Sequence, residues 1–167
     1  LEARQEGLIV LSGCRREGLL PRALETEGRG AARALAERCR AVFGPERFFV
    51  ELQRNRVRGD LALTRALNSL ADEVRLGVVA TGDVHYHRRE RHRLHDVLVA
   101  IRHRATLDGS HRARHPNSEF YLRPPAEMVA LFRDCPDAVA NGLAIAERCR
   151  AFDLTRDIPV IFISALD

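Results

Sequence analysis

A chain of 167 residues, 46% hydrophobic and 30% charged, carries enough apolar mass for one packed domain. No run of about eighteen apolar residues lacks a charge, and the opening LEARQEGLIVLSGC has early acids and no small-residue cleavage site. A membrane span and a signal peptide are therefore not expected, and a cytoplasmic protein is. The net charge of +4 rests on 27 basic residues, all of them arginine. Arginine's planar fork suits phosphates, but arginine in place of lysine also follows from genome base composition, the reading preferred for most of these residues.

In chain order, Leu8 to Ser12 (LIVLS) reads as a buried strand. Gly30 to Val42 follows as a helix, with Ala34, Leu35, Arg38 and Cys39 at helical intervals and Gly44-Pro45 as its stop. Phe48 to Leu52 (FFVEL) is a second strand. Leu61 to Val74 is a second helix, with Leu63, Leu67, Leu70 and Val74 on one face, and Leu76 to Ala80 is a third strand. Strand and helix in alternation are the grammar of a parallel sheet or barrel. Arg88 to His103 then reads as a helix with the apolar stripe Leu94, Val97, Leu98 and Ile101. A long loop rich in Gly, Pro, Ser and Asn leads to Pro125. Two short helices close the pattern, Ala126 to Phe132 and Asp137 to Arg150, the latter with Val139, Leu143, Ile145 and Ala146 inward.

The four cysteines, at positions 14, 39, 135 and 149, form no CxxC pair and are expected to be reduced thiols. All seven histidines fall between residues 85 and 115. For His87, His103, His111 and His115, which neighbour arginines, a solvated basic surface is the preferred reading. His92 and His95, three apart on a helix, are placed to share a ligand, although packing or capping is the commoner fate of such a pair.

The stretch VVATGDVHYH, residues 78 to 87, is different. Alternate residues of an extended chain point the same way, so Asp83 and His85 would face one site beyond the end of the third strand. That rim is where parallel sheets keep their active sites. A carboxylate with a neutral imidazole suits zinc, manganese or iron. Cys14 ends the first strand, just past Gly13, and is placed at the same rim as a thiolate ligand. Glu51, ending the second strand, either orients a ligand from outside the metal shell or is solvated. Cys39, Cys135 and Cys149 read as small buried hydrophobes.

Five stretches, EGLIVLSGCRREG, RFFVELQRN, GVVATGDVHYHRRERHRLHDVLVAIRHRATLD, PNSEFYLRPPAEMVALF and AIAERCRAFDLTRD, closely resemble in order and spacing the polymerase-and-histidinol-phosphatase (PHP) domain of bacterial DNA polymerase III alpha subunits. RHRATLD followed by PNSEFYLRPPAEM is most similar to the error-prone, damage-tolerant branch. The resemblance covers roughly residues 5 to 157. It implies an α/β fold, part of a distorted β/α barrel with three or more parallel strands and flanking helices. Residues 1 to 125 would be the carboxyl-terminal part of that barrel with its connector, 126 to 157 a helical segment leading toward the polymerase palm, and 158 to 167 an atypical tail.

The resemblance also implies a divalent metal, zinc, manganese or magnesium, with Cys14, Asp83 and His85 as ligands and Glu51 beside the site. The family's opening His-x-His strand and its following His, Asp and Glu ligands have no counterpart in this sequence, and IPVIFISALD departs from the family pattern as a truncated or frame-shifted end would. Three ligands hold one ion but not a multi-metal phosphoesterase centre, so catalysis by this chain alone is not expected. DNA is the implied partner of the parent protein, with Arg88, Arg89, Arg91, Arg102 and Arg104 as phosphate contacts. The missing barrel half and the palm are the implied partners of this segment, and a homo-oligomer through the open sheet edge is another way to cover it. Two alternatives stand beside this reading. One is a free-standing PHP-family phosphatase, which the long connector speaks against, and the other a non-catalytic structural remnant.

Overall fold

The computed structural model describes residues 7–151. The chain is mixed α/β. Three strands, β1 (Val10–Leu11), β2 (Phe48–Gln53) and β3 (Gly77–Thr81), form a parallel sheet in the order β1-β2-β3. Helices α1 (Leu19–Thr26) and α2 (Arg29–Phe43) link the first pair of strands, and α3 (Asp60–Val74) links the second. A 3-10 turn at Arg89–Arg91 leads into α4 (His92–Arg102), and α5 (Pro125–Leu131) and α6 (Pro136–Ala151) follow the connector. This is the partial-barrel architecture expected from the sequence. The continuation to residue 157 and the tail from 158 lie outside the described residues.

Strand alternation divides the core. Phe48, Val50 and Leu52 of β2 point into one layer with Leu67, Leu70, Ala71 and Val74 of α3 and Ala32, Ala36 and Cys39 of α2. Phe49 and Val79 point to the other layer and meet Ile145 of α6. Gly77 is required there, because a Cβ would stand 2.9 Å from the Phe49 ring. The Asn141 side chain of α6 donates to the Val78 carbonyl at 2.8 Å, satisfying one acceptor of the β3 edge.

Helix ends follow local chemistry. Gly44, at φ 80°, caps α2 through its N–H to the Arg40 carbonyl. α3 opens on Asp60, whose carboxylate accepts the Asn55 and Val57 N–H groups at 2.8 Å each, tying the β2–α3 loop to the helix start. Pro125 and Pro136 occupy first helical positions, where no intrahelical N–H is needed.

Four readings differ from the structure. Helix α1 was not anticipated; its eight residues contain Pro21, and such a short segment carries little periodic signal, yet Leu20, Pro21 and Ala23 are buried. The α4 stripe is apolar but open to solvent: Leu94, Val97, Leu98 and Ile101 are 40 to 67% exposed and only Ala100 is buried. In α6, Ile145 is buried as expected whereas Leu143 is 65% exposed. In α2, too, Ala34 and Arg38 are exposed and the buried face is Ala32, Ala36, Cys39 and Phe43. Periodicity identifies an apolar face; which face meets the sheet depends on how the helix docks.

Candidate metal centre at the carboxyl rim

The first strand ends in a turn that only small residues permit. Gly13 sits at φ 90°, and the Gly18 N–H donates to the Cys14 carbonyl at 2.7 Å. A Cβ on Gly18 would lie 2.2 Å from that carbonyl oxygen, and one on Gly13 would lie 2.7 Å from the Gly18 Cα. The turn therefore presents Cys14 on a backbone with no room for adjustment. Gly18→Ala is expected to destabilise the chain by roughly 1–3 kcal/mol through this overlap, read as a lower urea midpoint, and to increase the rate at which a thiol reagent labels Cys14. An unchanged midpoint and labelling rate would show that the close approach does not hold the turn.

Cys14, Glu51 and Asp83 line one cavity of about 710 Å³ at the carboxyl ends of the strands, together with Gly13 and Thr81. Glu51 is 6% exposed. Its carboxylate accepts the Gln53 amide at 2.9 Å and the Thr81 hydroxyl. Burial raises the Glu51 pKa, the Thr81 and Gln53 hydrogen bonds oppose that rise, and the nearby Asp83 adds to it. Glu51 is thus not a solvated residue but a buried acid held in place by its neighbours.

Asp83 and His85 do come together, by a different route from strand alternation. β3 ends at Thr81, and Asp83 adopts the left-handed conformation at φ 48°. Asp83 Oδ1 lies 3.5 Å from His85 Nε2. The pairing is made by a turn after the strand, which Gly82 and an Asp tolerant of positive φ allow.

The rim holds more histidine than the sequence reading assigned to it. One nitrogen from each of His85, His95 and His115 lies within 4.8 Å of the other two. His115, expected to be solvated, has its ring stacked on Phe120 at 3.9 Å between centroids. His95 pairs with these rings rather than with His92, whose Nδ1 lies 3.1 Å from the Arg89 carbonyl. The signal missed was the connector: its PNSEFYLR stretch runs beside the end of β3, with the His85 N–H donating to the Phe120 carbonyl at 2.9 Å and Leu122 N–H to Tyr86 at 3.0 Å. A bridge between Tyr86 and Tyr121 completes that contact. No local pattern places residue 115 against residue 85.

Burial lowers the His115 pKa to about 4, with His85 and His95 adding repulsion, and lowers that of His95 for the same reasons. Both rings are neutral at pH 7, the form that binds metal. The sign for stability follows. Unfolding returns His115 to its ordinary value of 6.5, so the unfolded chain takes up the proton first. In metal-free protein the stabilisation is complete above pH 6.5 and drains away as the pH falls toward 4. Discounted for partial solvent contact, it amounts to about 1 kcal/mol. Urea unfolding between these limits checks it, and His115→Gln should flatten the slope.

A second cavity, of about 830 Å³, is also lined by Asp83, with Arg15, Arg16, Arg112, Arg114 and His115 among others. The arginines named from sequence are placed less uniformly. Arg88, Arg91 and Arg104 are exposed. Arg89 is engaged within the fold, donating to the Tyr121 hydroxyl at 2.9 Å and pairing with Glu119 at 3.1 Å. Arg102 lies in the last turn of α4.

Three parallel strands with flanking helices define an α/β unit of the partial-barrel class, with a thiol, a buried carboxyl and an Asp-His turn at its carboxyl rim. No family model matches the chain. Individual proteins do. An error-prone DNA polymerase of Symbiobacterium thermophilum is 45% identical over 145 residues, 87% of this chain and 13% of that protein. DNA polymerase III alpha subunits of Pseudomonas aeruginosa and Escherichia coli are 40% and 39% identical, each over 86% of the chain and 12% of the relative. The chain is homologous to one segment of the DNA polymerase III alpha and error-prone DNA polymerase family, as the sequence resemblance implied, and it spans about an eighth of the length of these relatives. These matches give the free-standing phosphatase no support. Among the described residues no helix is long and apolar enough to cross a membrane.

Proposed function

We infer that the chain is the carboxyl-terminal part of the PHP domain of an error-prone DNA polymerase III alpha-type subunit, a cytoplasmic protein acting in replication and damage-tolerant repair. In this reading the described residues up to 125 are the barrel part with its connector, and the helical segment from 126 leads toward the palm. DNA-directed DNA synthesis belongs to the whole parent, in which this segment is a scaffold with a metal site. The observation that carries the reading is that Cys14, Glu51 and Asp83, from the ends of three parallel strands, line one cavity within a segment homologous to these polymerases.

The donor types suit a divalent ion, with Cys14 and Asp83 lining the cavity and His85 outside its lining. Cys14 and Asp83 offer a thiolate and a carboxylate, His85 an imidazole beside Asp83, and the buried Glu51 supplies a fixed acid that orients its surroundings through Thr81 and Gln53. A bound ion supplies Lewis-acid polarisation of a phosphoester and acidification of a water. Asp83, facing both cavities, holds His85 in orientation, while Arg15 and Arg16 line the space where a phosphate would sit. Exposed Arg88, Arg91 and Arg104, with Arg102, extend the positive surface for a nucleic-acid backbone.

Elemental analysis of purified protein tests the metal site: Cys14→Ser, Asp83→Asn and His85→Asn are each expected to lower zinc or manganese content. Unchanged content in all three would remove it. Binding to primed or single-stranded DNA is expected at low salt and should weaken as salt rises, through counterion release; no binding at low salt would remove the arginine assignment.

A further inference from the structure

Among the described residues, one set of three metal-ligating side chains converges within 4.8 Å, and it is not the Cys14 set. His85 comes from the turn after β3, His95 from α4 and His115 from the connector, and one nitrogen of each lies within 4.8 Å of the other two. Ring centroids are 4.3 Å apart for His85–His115 and 5.2 Å for each of the other two pairs. Aromatic packing accounts for His115 on Phe120, but not for three imidazoles around a common point. The Nδ1 of His95 is buried and has no hydrogen-bond partner. A buried nitrogen left unpaired in a native fold calls for a partner, an ion included.

Bond lengths of about 2.0–2.1 Å place the nitrogens of a tetrahedral zinc site roughly 3.3 Å apart. Side-chain rotations that close the present separation by about 1.5 Å are within the reach of three histidines on different segments. Asp83, 3.5 Å from His85 Nε2, is placed as the carboxylate that commonly steadies a ligand imidazole. Three imidazoles without sulfur or a bridging carboxylate select a borderline ion over magnesium or calcium.

We propose that His85, His95 and His115 form a site for one borderline divalent transition ion of the zinc, cobalt and nickel class, and that the ion clamps the connector to α4 and to the rim of the sheet. Of its three ligands only His85 belongs to the Cys14 reading, which also uses Asp83, and the site does not depend on Cys14. Its ligands join parts of the chain that otherwise meet through few backbone hydrogen bonds, so loading fixes the connector in place.

The test is titration of the chelator-stripped chain with Co²⁺ and competition with Zn²⁺. In the Cys14→Ser chain, from which the thiolate of the other site is removed, cobalt is expected still to give visible d–d bands. In that background, His95→Asn and His115→Asn should each weaken binding roughly tenfold or more. Zinc should slow tryptic cleavage after Arg112 and Arg114 in the unmodified chain, a readout that needs no variant to fold. A thiolate band lost with Cys14→Ser, with the His95 and His115 variants still binding normally, would overturn the proposal and leave the Cys14 site standing. Absence of cobalt and zinc binding by the unmodified chain would overturn both.

Discussion

Replacing Glu119 by alanine is expected to destabilise the chain by about 3–5 kcal/mol, because it leaves a buried cation without its counter-charge. The Glu119 carboxylate accepts from Arg123 at 3.1 Å, pairs with Arg89 at 3.1 Å and lies 3.6 Å from Arg56. The Arg123 side chain is 3% exposed. Its other contacts, Asn55 Oδ1 at 3.1 Å and the Tyr121 ring face at 5.1 Å, carry no formal negative charge and do not replace the carboxylate. This cluster fastens the connector that delivers His115 to the rim, so the variant should also lose the environment that keeps His115 neutral. Urea unfolding measures the first effect and the titration of the His115 ring the second. A cost for Glu119→Ala together with Arg123→Met that is smaller than for Glu119→Ala alone would confirm that the unpaired charge is responsible. A cost under about 1 kcal/mol for the single change would show that the arginines reach solvent instead.

Phe132→Ala is expected to cost about 3–5 kcal/mol. Phe132, at the end of α5, is fully buried in the main core, and the Arg54 guanidinium lies 4.7 Å from its ring centroid. Arg54 also donates to the Leu131 carbonyl at 2.8 Å and forms a two-bonded pair with Asp134. Those bonds hold the guanidinium where it stands, so truncating Phe132 opens a cavity beside a charge that cannot move in to fill it. Phe132→Leu keeps most of the volume and should recover more than half of the loss in the urea midpoint. Equal losses for Ala and Leu would indicate that the aromatic face, not the packed volume, is what Arg54 requires.

Much of this architecture was legible in the sequence. LIVLS, FFVEL and LGVVA are runs too apolar for solvent, and the helices between them carry one buried stripe each, so a parallel α/β sheet follows from pattern alone. GDVH after such a run, and LSGC after another, mark the carboxyl rim for the same reason. What failed was inference across long separations. Helix α4 has a well-spaced apolar stripe, yet Leu98 and Ile101 are 56% and 67% exposed, since periodicity reports that a face is apolar and not that something in the chain covers it. His95 and His115 were read from their neighbours, arginines included, and their neighbours in space are other histidines.

By itself the sequence determined the strand-helix alternation, the placement of Cys14 and Asp83 just past the ends of two strands, and kinship with a segment of the alpha-subunit polymerases. Each of these is written in local spacing or in an ordered set of short motifs. Only the tertiary structure decided that Glu51 is buried against Thr81, that Asp83 turns toward His85 through a positive φ, and that the connector brings His115 beside His95. Those outcomes depend on which backbone groups pair across dozens of residues, and such pairing is set by the packing of the whole sheet and its helices.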